Sequence, residues 1–196
     1  MAGKWGGRAS YTHSRLMDNQ FGETNFMQPS TPEALNAYDV GAEYGRGLLD
    51  VPHKLSIAPV FQLPFGVRLS SIIAIESGFI VPVASSTNNT NLFTRMQRAN
   101  QTAADPNTSG DREQRILGQW LTPAGDAVPA AFTFGTAPRT DGGVRGPHRN
   151  NIDVAVAKSV GLSARLRGEL RLEVLNLTNT VKVIGPIHTV GSSGFG

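Results

Sequence analysis

Hydrophobic and polar residues alternate one by one through the stretch "RLRGELRLEVLNLTN", residues 165–179. Leu166, Leu170, Leu172 and Val174 fall on one side of an extended chain, and Arg165, Arg167, Glu169, Arg171 and Glu173 on the other. A strand turns successive side chains to opposite faces, so the pattern predicts a ribbon with one apolar and one fully charged face. Helical geometry would scatter the same leucines around the whole circumference. Four further segments carry strand character. In "KLSIAPVFQL" (54–63), Leu55, Ile57, Phe61 and Leu63 oppose Lys54, Ser56, Ala58 and Gln62. Pro59 lacks an amide donor, which tells against a fully paired central position unless a bulge absorbs it. "NIDVAVAKSV" (151–160) sets Ile152, Val154, Val156 and Val160 against Asp153, Ala155, Ala157 and Ser159, with Lys158 breaking the apolar row. "RLSSIIAIES" (68–77) is mixed, because Ile72 joins Arg68, Ser70, Ala74 and Glu76 opposite Leu69, Ser71, Ile73 and Ile75. "WGGRASYTHS" (5–14) is only weakly patterned.

The connectors sharpen the picture. "PFG" (64–66) and "GLSA" (161–164) are short enough for tight hairpins. Residues 15–53 and 78–150 are instead long, polar connections rich in Asn, Thr, Gly and Pro, as in "ASSTNNTN" and "QTAADPNTSGD". Structureless loops of that length are uncommon in compact soluble domains. Short turns at one end and long loops at the other predict an all-β fold: antiparallel strands of a partial outer-membrane β-barrel, with short periplasmic turns and long extracellular loops. Loops 17–50 and 85–147 would then face outside, leucine and valine would meet lipid, and arginine and glutamate would meet a polar lumen. The smallest single-chain barrels have about eight strands, and an open sheet in a bilayer leaves unpaired backbone groups costing roughly several kcal/mol each. Five strands are therefore expected to be part of a larger wall. The rival is a soluble antiparallel β-sandwich that binds carbohydrate or a protein partner. It would need about seven strands with short, regular spacing and two apolar faces that meet.

Composition agrees. With 39% hydrophobic and 17% charged residues, 22 Gly and 12 Pro, the chain suits long-looped β structure better than a helical bundle. The absence of cysteine removes disulfides, thiol nucleophiles and thiolate metal sites. Net charge is +3 and the isoelectric point about 9.6, but Lys and Arg are dispersed, so no nucleic-acid partner is expected. No apolar run approaches the roughly 20 residues of a spanning helix, and "MAGKWGGRAS" has no signal-peptide core.

Candidate chemistry is sparse. "DPNTSGD" (105–111) spaces Asp105, Asn107 and Ser109 as oxygen ligands are spaced in a calcium loop, but Ile116 stands where a bidentate Glu is required. A polar surface loop is the better reading. The histidines His13, His53, His148 and His188 show no metal-ligand spacing. There is no nucleophile elbow, paired-carboxylate motif or phosphate loop, so no catalytic, cofactor-binding or metal residue is expected and the chain is not read as an enzyme. The candidate site is a lumen-facing charge ladder of Arg165, Arg167, Glu169, Arg171 and Glu173, either cross-strand pairs or a substrate or plug contact. Trp5, Tyr11, Phe61 and Phe65 suit interfacial girdles as well as they suit isolated positions.

Four stretches carry a resemblance. "ASYTHSRLMD" (9–18), "LLDVPHKLSIAPVFQLPFG" (48–66), "FGTAPRTDGGVRGPHRNNIDVAVAKS" (134–159) and "LEVLNLTNTVKVIGP" (172–186) resemble, in order and spacing, the C-terminal barrel of Oar-like TonB-dependent outer-membrane transporters. Members of that family carry a carboxypeptidase-regulatory-like domain at the N-terminus. The resemblance implies a monomeric barrel of about 22 strands with a plugged lumen, in the outer membrane of a Gram-negative-type bacterium. It implies uptake of a substrate driven through the TonB system, with membrane lipid, the plug and the rest of the barrel as partners. Residues 1–196 are then expected to be a fragment, with plug, earlier strands and closing strand outside it.

Overall fold

The computed structural model describes residues 4–19, 34–36, 38–90, 97–103, 105–163 and 166–196. Two compact units emerge. One comprises residues 1–14, 51–77 and 148–183, and the other residues 15–50, 78–147 and 184–196.

The first unit is a single sheet of five strands: β1 (Trp5–His13), β2 (His53–Leu63), β3 (Val67–Glu76), β4 (Arg149–Gly161) and β5 (Arg167–Val174). They lie side by side in chain order, each antiparallel to its neighbours. The five segments with alternating or β-rich sequence are these five strands. Both short turns lie at one end, and every long connection leaves from the other. An 11-residue strand such as β2 extends about 36 Å and, tilted by about 45°, covers about 26 Å, close to the height of a barrel's apolar band. Among the described residues, no helix is long and apolar enough to cross a membrane, which says nothing of strands.

Register decides what the alternation means. Ile57 faces Ile73, Ile73 faces Ile152, and Val156 faces Leu172. The apolar rows therefore merge into one continuous face across the sheet, to which Trp5, Ala9 and Tyr11 on β1 also belong. On the opposite face Lys54, Glu76 and Arg149 align, as do Gln62, Arg68, Ala157 and Arg171. The mixed segment resolves in favour of its leucine and isoleucine row, leaving Ile72 alone on the polar side. Apolar-face residues remain exposed, Leu170 by 76% and Trp5 by 74%. Among the described residues of this unit no second sheet covers them, so the two meeting apolar faces of a sandwich are not formed there. Lys158, which breaks the row, stands next to the β4–β5 turn, where its amine can snorkel to a headgroup layer.

Pro59 is accommodated without a bulge. Ile57 pairs with Ile73 and Val60 with Ser70 in the same register, while the ladder lapses over Ala58 and Pro59. On the other side Pro59 lies opposite Gly7, whose φ is 154°. A β-carbon at Gly7 would stand 2.5 Å from the Ala58 carbonyl oxygen and 2.8 Å from the Pro59 Cα. Glycine is thus the residue that lets β1 approach a strand carrying a proline. The β2–β3 turn likewise uses left-handed backbone at Phe65 (φ 64°) and Gly66 (φ 73°).

Among the described residues of the second unit the elements are short. Two-residue strands pair Met17–Asp18 with Gly45–Arg46, Ala84–Ser85 with Gln97–Arg98 and Thr189–Val190, and Asn100–Gln101 with Asp126–Ala127. Helix α1 (Arg112–Leu117) starts at a capping box, with the Asp111 carboxylate accepting from the Gln114 amide. This unit nevertheless has a core, in which Val81, Val83, Ala99, Trp120, Leu121, Val144, Val190 and Phe195 pack together. Around it lie buried ion pairs. Glu43 pairs with Arg98 and Asp18 with Arg139, whose Nε also donates to the Glu43 carbonyl at 2.8 Å. Fully buried Asp50 accepts from Arg145 Nη2 at 2.5 Å and from the Leu16 amide at 2.7 Å.

Burial works against the Asp50 carboxylate, but the Leu16 amide and the Arg145 and Arg46 guanidiniums outweigh it and hold its pKa below the ordinary 3.8. A depressed folded-state pKa gives stability that is present above the unfolded value and lost as pH falls through the folded one. The second unit should accordingly loosen below about pH 4, followed by intrinsic fluorescence. Asp50→Ala, which leaves Arg145 without its carboxylate, should cost about 3–5 kcal/mol at neutral pH in urea unfolding. Gly7→Ala should destabilise the sheet by about 1–3 kcal/mol in lipid vesicles. Gly161→Ala, where nothing lies within 4 Å of the added β-carbon, should change it by less than about 1 kcal/mol.

Candidate functional site

The polar face of the sheet is the candidate site, and register builds it. Small residues dominate its middle, where Ala58, Ser70, Ala155 and Ala157 leave room above the backbone. A cavity of about 280 Å³ opens there, lined on this face by Val60, Ile72, Asp153, Arg171 and Glu173 among others. Its lining combines apolar, small polar and charged residues. Asp153 is held in place, its Oδ1 accepting from the Asn176 amide at 2.8 Å.

Of the expected ladder, Arg165 lies outside the described residues. Arg167, Glu169, Arg171 and Glu173 project together on the polar face of β5, opposite Gly161, Ser159, Ala157 and Ala155 of β4. No charge stands directly across from them. Glu169 instead reaches over β4 to Arg68 of β3, at 3.5 Å, and Arg171 pairs with Glu173 on its own strand at 2.5 Å. The small residues of β4 are what permit that reach. A second set has no signature in the sequence: Lys54, Glu76 and Arg149 face one another in register on β2, β3 and β4, with Glu76 bonded to Lys54 at 2.9 Å and to Arg149 at 2.5 Å. Finding them requires the register, since they are far apart in the chain and each sits at a strand end.

The apolar face carries aromatic residues near both ends. Trp5 and Phe61 are paired towards the turns, while Tyr11 lies towards the loops and bonds through its hydroxyl to His53 Nδ1 at 2.8 Å. The His13 and His53 rings lie 4.8 Å apart. Trp5 and Tyr11 carry the polar tips that girdle residues use, Phe61 does not, and Phe65 is exposed in the turn.

The calcium-like loop has other partners. Asp105 Oδ1 accepts from the amide and Nδ2 of Asn107, at 2.9 and 2.7 Å, and these bonds hold its carboxyl below the ordinary range. Asn107 Oδ1 accepts from Arg115, whose guanidinium lies over the Trp120 ring at 3.8 Å. A cationic side chain thus occupies the neighbourhood where a metal would need oxygen ligands. Among the described residues no group of three or more His, Cys, Asp or Glu is placed to hold a metal.

Removing charge should separate the two polar-face sets. Glu76→Gln, which weakens two charge-assisted bonds at a half-buried position, should cost about 1–2 kcal/mol in urea unfolding. Glu169→Gln, in an exposed pair, should cost less than about 1 kcal/mol.

A five-stranded antiparallel sheet with an exposed apolar face, aromatic residues near both margins and a hollowed polar face is what a segment of barrel wall requires. Comparison with known proteins agrees: the whole chain, residues 1–196, matches the family described as "Outer membrane beta barrel domain". No curated protein and no solved structure matches it. The strands are the wall of a partial barrel in the outer membrane of a Gram-negative bacterium, and the chain belongs to the outer membrane beta barrel domain family.

Proposed function

We propose that the chain forms part of the barrel wall of an Oar-like TonB-dependent transporter, monomeric and non-catalytic, through which a substrate is taken up with energy from the inner membrane. What carries this reading is the open sheet itself. In a bilayer each unpaired backbone group at the outer edges of β1 and β5 would cost roughly several kcal/mol, so the wall must continue into further strands. β1 and β5 both run from the turn end to the loop end, so an antiparallel cylinder closes on them only with an odd number of added strands. The parent barrel, its plug and the TonB system are the partners in this proposal.

The four resembling stretches support it by where they lie. "ASYTHSRLMD" carries the end of β1, "DVPHK" and "LPFG" of the second stretch open β2 and span the β2–β3 turn, "GPHRN" opens β4 and "EVLNLTN" carries the end of β5. Each marks a place where the chain enters or leaves the wall. The lumen face offers small residues, ion pairs and one hollow, which suits lining a passage more than bond-making chemistry.

Uptake profiling tests the proposal. In a host carrying the complete gene, solutes lost on disrupting it should also be lost on disrupting the TonB energising system. Uptake that depends on the gene but persists without TonB would contradict energised transport and favour a passive pore.

A further inference from the structure

We propose that Asp126, Asp141 and Gln101 form a site for a hard divalent cation, and that Ca²⁺ is the ion it suits. The site lies in the unit made of residues 15–50, 78–147 and 184–196, and does not depend on the transport reading. Gln101 and Asp126 stand directly opposite each other in the antiparallel pair Asn100–Gln101 and Asp126–Ala127, which turns both side chains to one face. With Asp141 they line a cavity of about 20 Å³ walled by Val83, Pro106 and Val144, room for a single water-sized or ion-sized occupant.

Asp126 is the observation that calls for a ligand. It is only 5% exposed, and its Oδ2 is buried with no hydrogen-bond partner among the described residues. A buried carboxylate oxygen without a donor is costly, and here a second carboxylate shares the cavity. Asp141 is fixed by its own turn, accepting from the Gly143 amide at 2.7 Å through Oδ1 and from the Val144 amide at 3.2 Å through its carbonyl. It cannot turn away freely to relieve the repulsion. Burial first, and the Asp141 charge second, push the Asp126 pKa above its ordinary value. A water in the cavity would supply a donor and leave the like charges in place. A cation answers both demands.

The donor set selects the class of ion. Two carboxylates and an amide carbonyl are all oxygen, and the lining includes no histidine or cysteine, so zinc and softer metals are disfavoured. Calcium accepts irregular oxygen shells completed by water, whereas magnesium demands a tight octahedron. With only two formal charges, the site belongs to the weak class with a Kd of about 10⁻⁴ to 10⁻³ M that serves modules bathed in millimolar calcium.

Calorimetric titration of CaCl₂ into the purified full-length protein in detergent, after EDTA treatment, tests this, alongside thermal melting. Binding in the range above and a calcium-dependent rise in melting temperature are expected. Asp126→Asn and Asp141→Asn should each weaken binding by about tenfold or more. Asp126→Asn should also melt no lower than the parent protein without calcium, because it removes the buried like charge, so loss of binding cannot be put down to unfolding. Asp105→Asn, in the calcium-like loop, should leave the affinity unchanged. No calcium response, or binding that survives Asp126→Asn and disappears in Asp105→Asn, would overturn the site.

Discussion

Everything in the sheet follows from one demand: in hydrocarbon, each backbone amide and carbonyl must find its partner within the protein. Five neighbouring strands meet it by holding an unbroken register, and that register turns five separate alternations into two coherent faces. A slip of one residue between any pair would send a row of leucines to the lumen and a row of charges to lipid. The same demand explains the accommodation of Pro59. A missing donor inside the wall is tolerated because the register continues past it and because Gly7 allows the neighbouring backbone to come close. At the outer edges of β1 and β5 the demand is unmet within the sheet.

The two units are stabilised by opposite means. The sheet leaves its apolar side chains outward and gains cohesion from paired backbone and polar-face ion pairs, so its stability depends on what lies against those side chains. The unit formed by the long connections buries a core around Trp120 and Leu121 and satisfies several fully buried charges internally. Such buried pairs contribute little net stability over apolar residues, yet breaking one is severe, because the remaining charge stays in a dry place. They fix one arrangement among the many that polar, glycine-rich chain could adopt.

The sequence was most legible where the physics is periodic. All five strands could be placed within a few residues, and the apolar faces of β2, β4 and β5 read off, because period two survives without any knowledge of neighbours. The fate of Ile72 could not be read, since which side of a mixed strand is apolar depends on its register against β2 and β4. The Glu169–Arg68 pair was hidden for the same reason: its partner lies two strands away, over small residues whose role is to be short. Least legible was the core of the second unit. Ala99, Val144 and Phe195 stand singly in polar chain, and Val81 and Trp120 lie in short apolar runs far away in sequence, with no spacing to announce that they meet. Asp126 gave no signal at all, because a lone aspartate in a loop is ordinary until its burial is known.

The central claim is that the leucine and valine rows face lipid while the alternating charges face water inside a barrel. With no cysteine in residues 1–196, single substitutions along β5 can report on each face. The complete protein in lipid vesicles would carry Cys in turn at Gly168, Glu169, Leu170, Arg171, Leu172 and Glu173, each labelled with a fluorophore and challenged with a lipid-borne quencher. Quenching should rise and fall with a period of two, strong at Gly168, Leu170 and Leu172 and weak at Glu169, Arg171 and Glu173. Uniform quenching along the strand, or none at any position, would contradict the account.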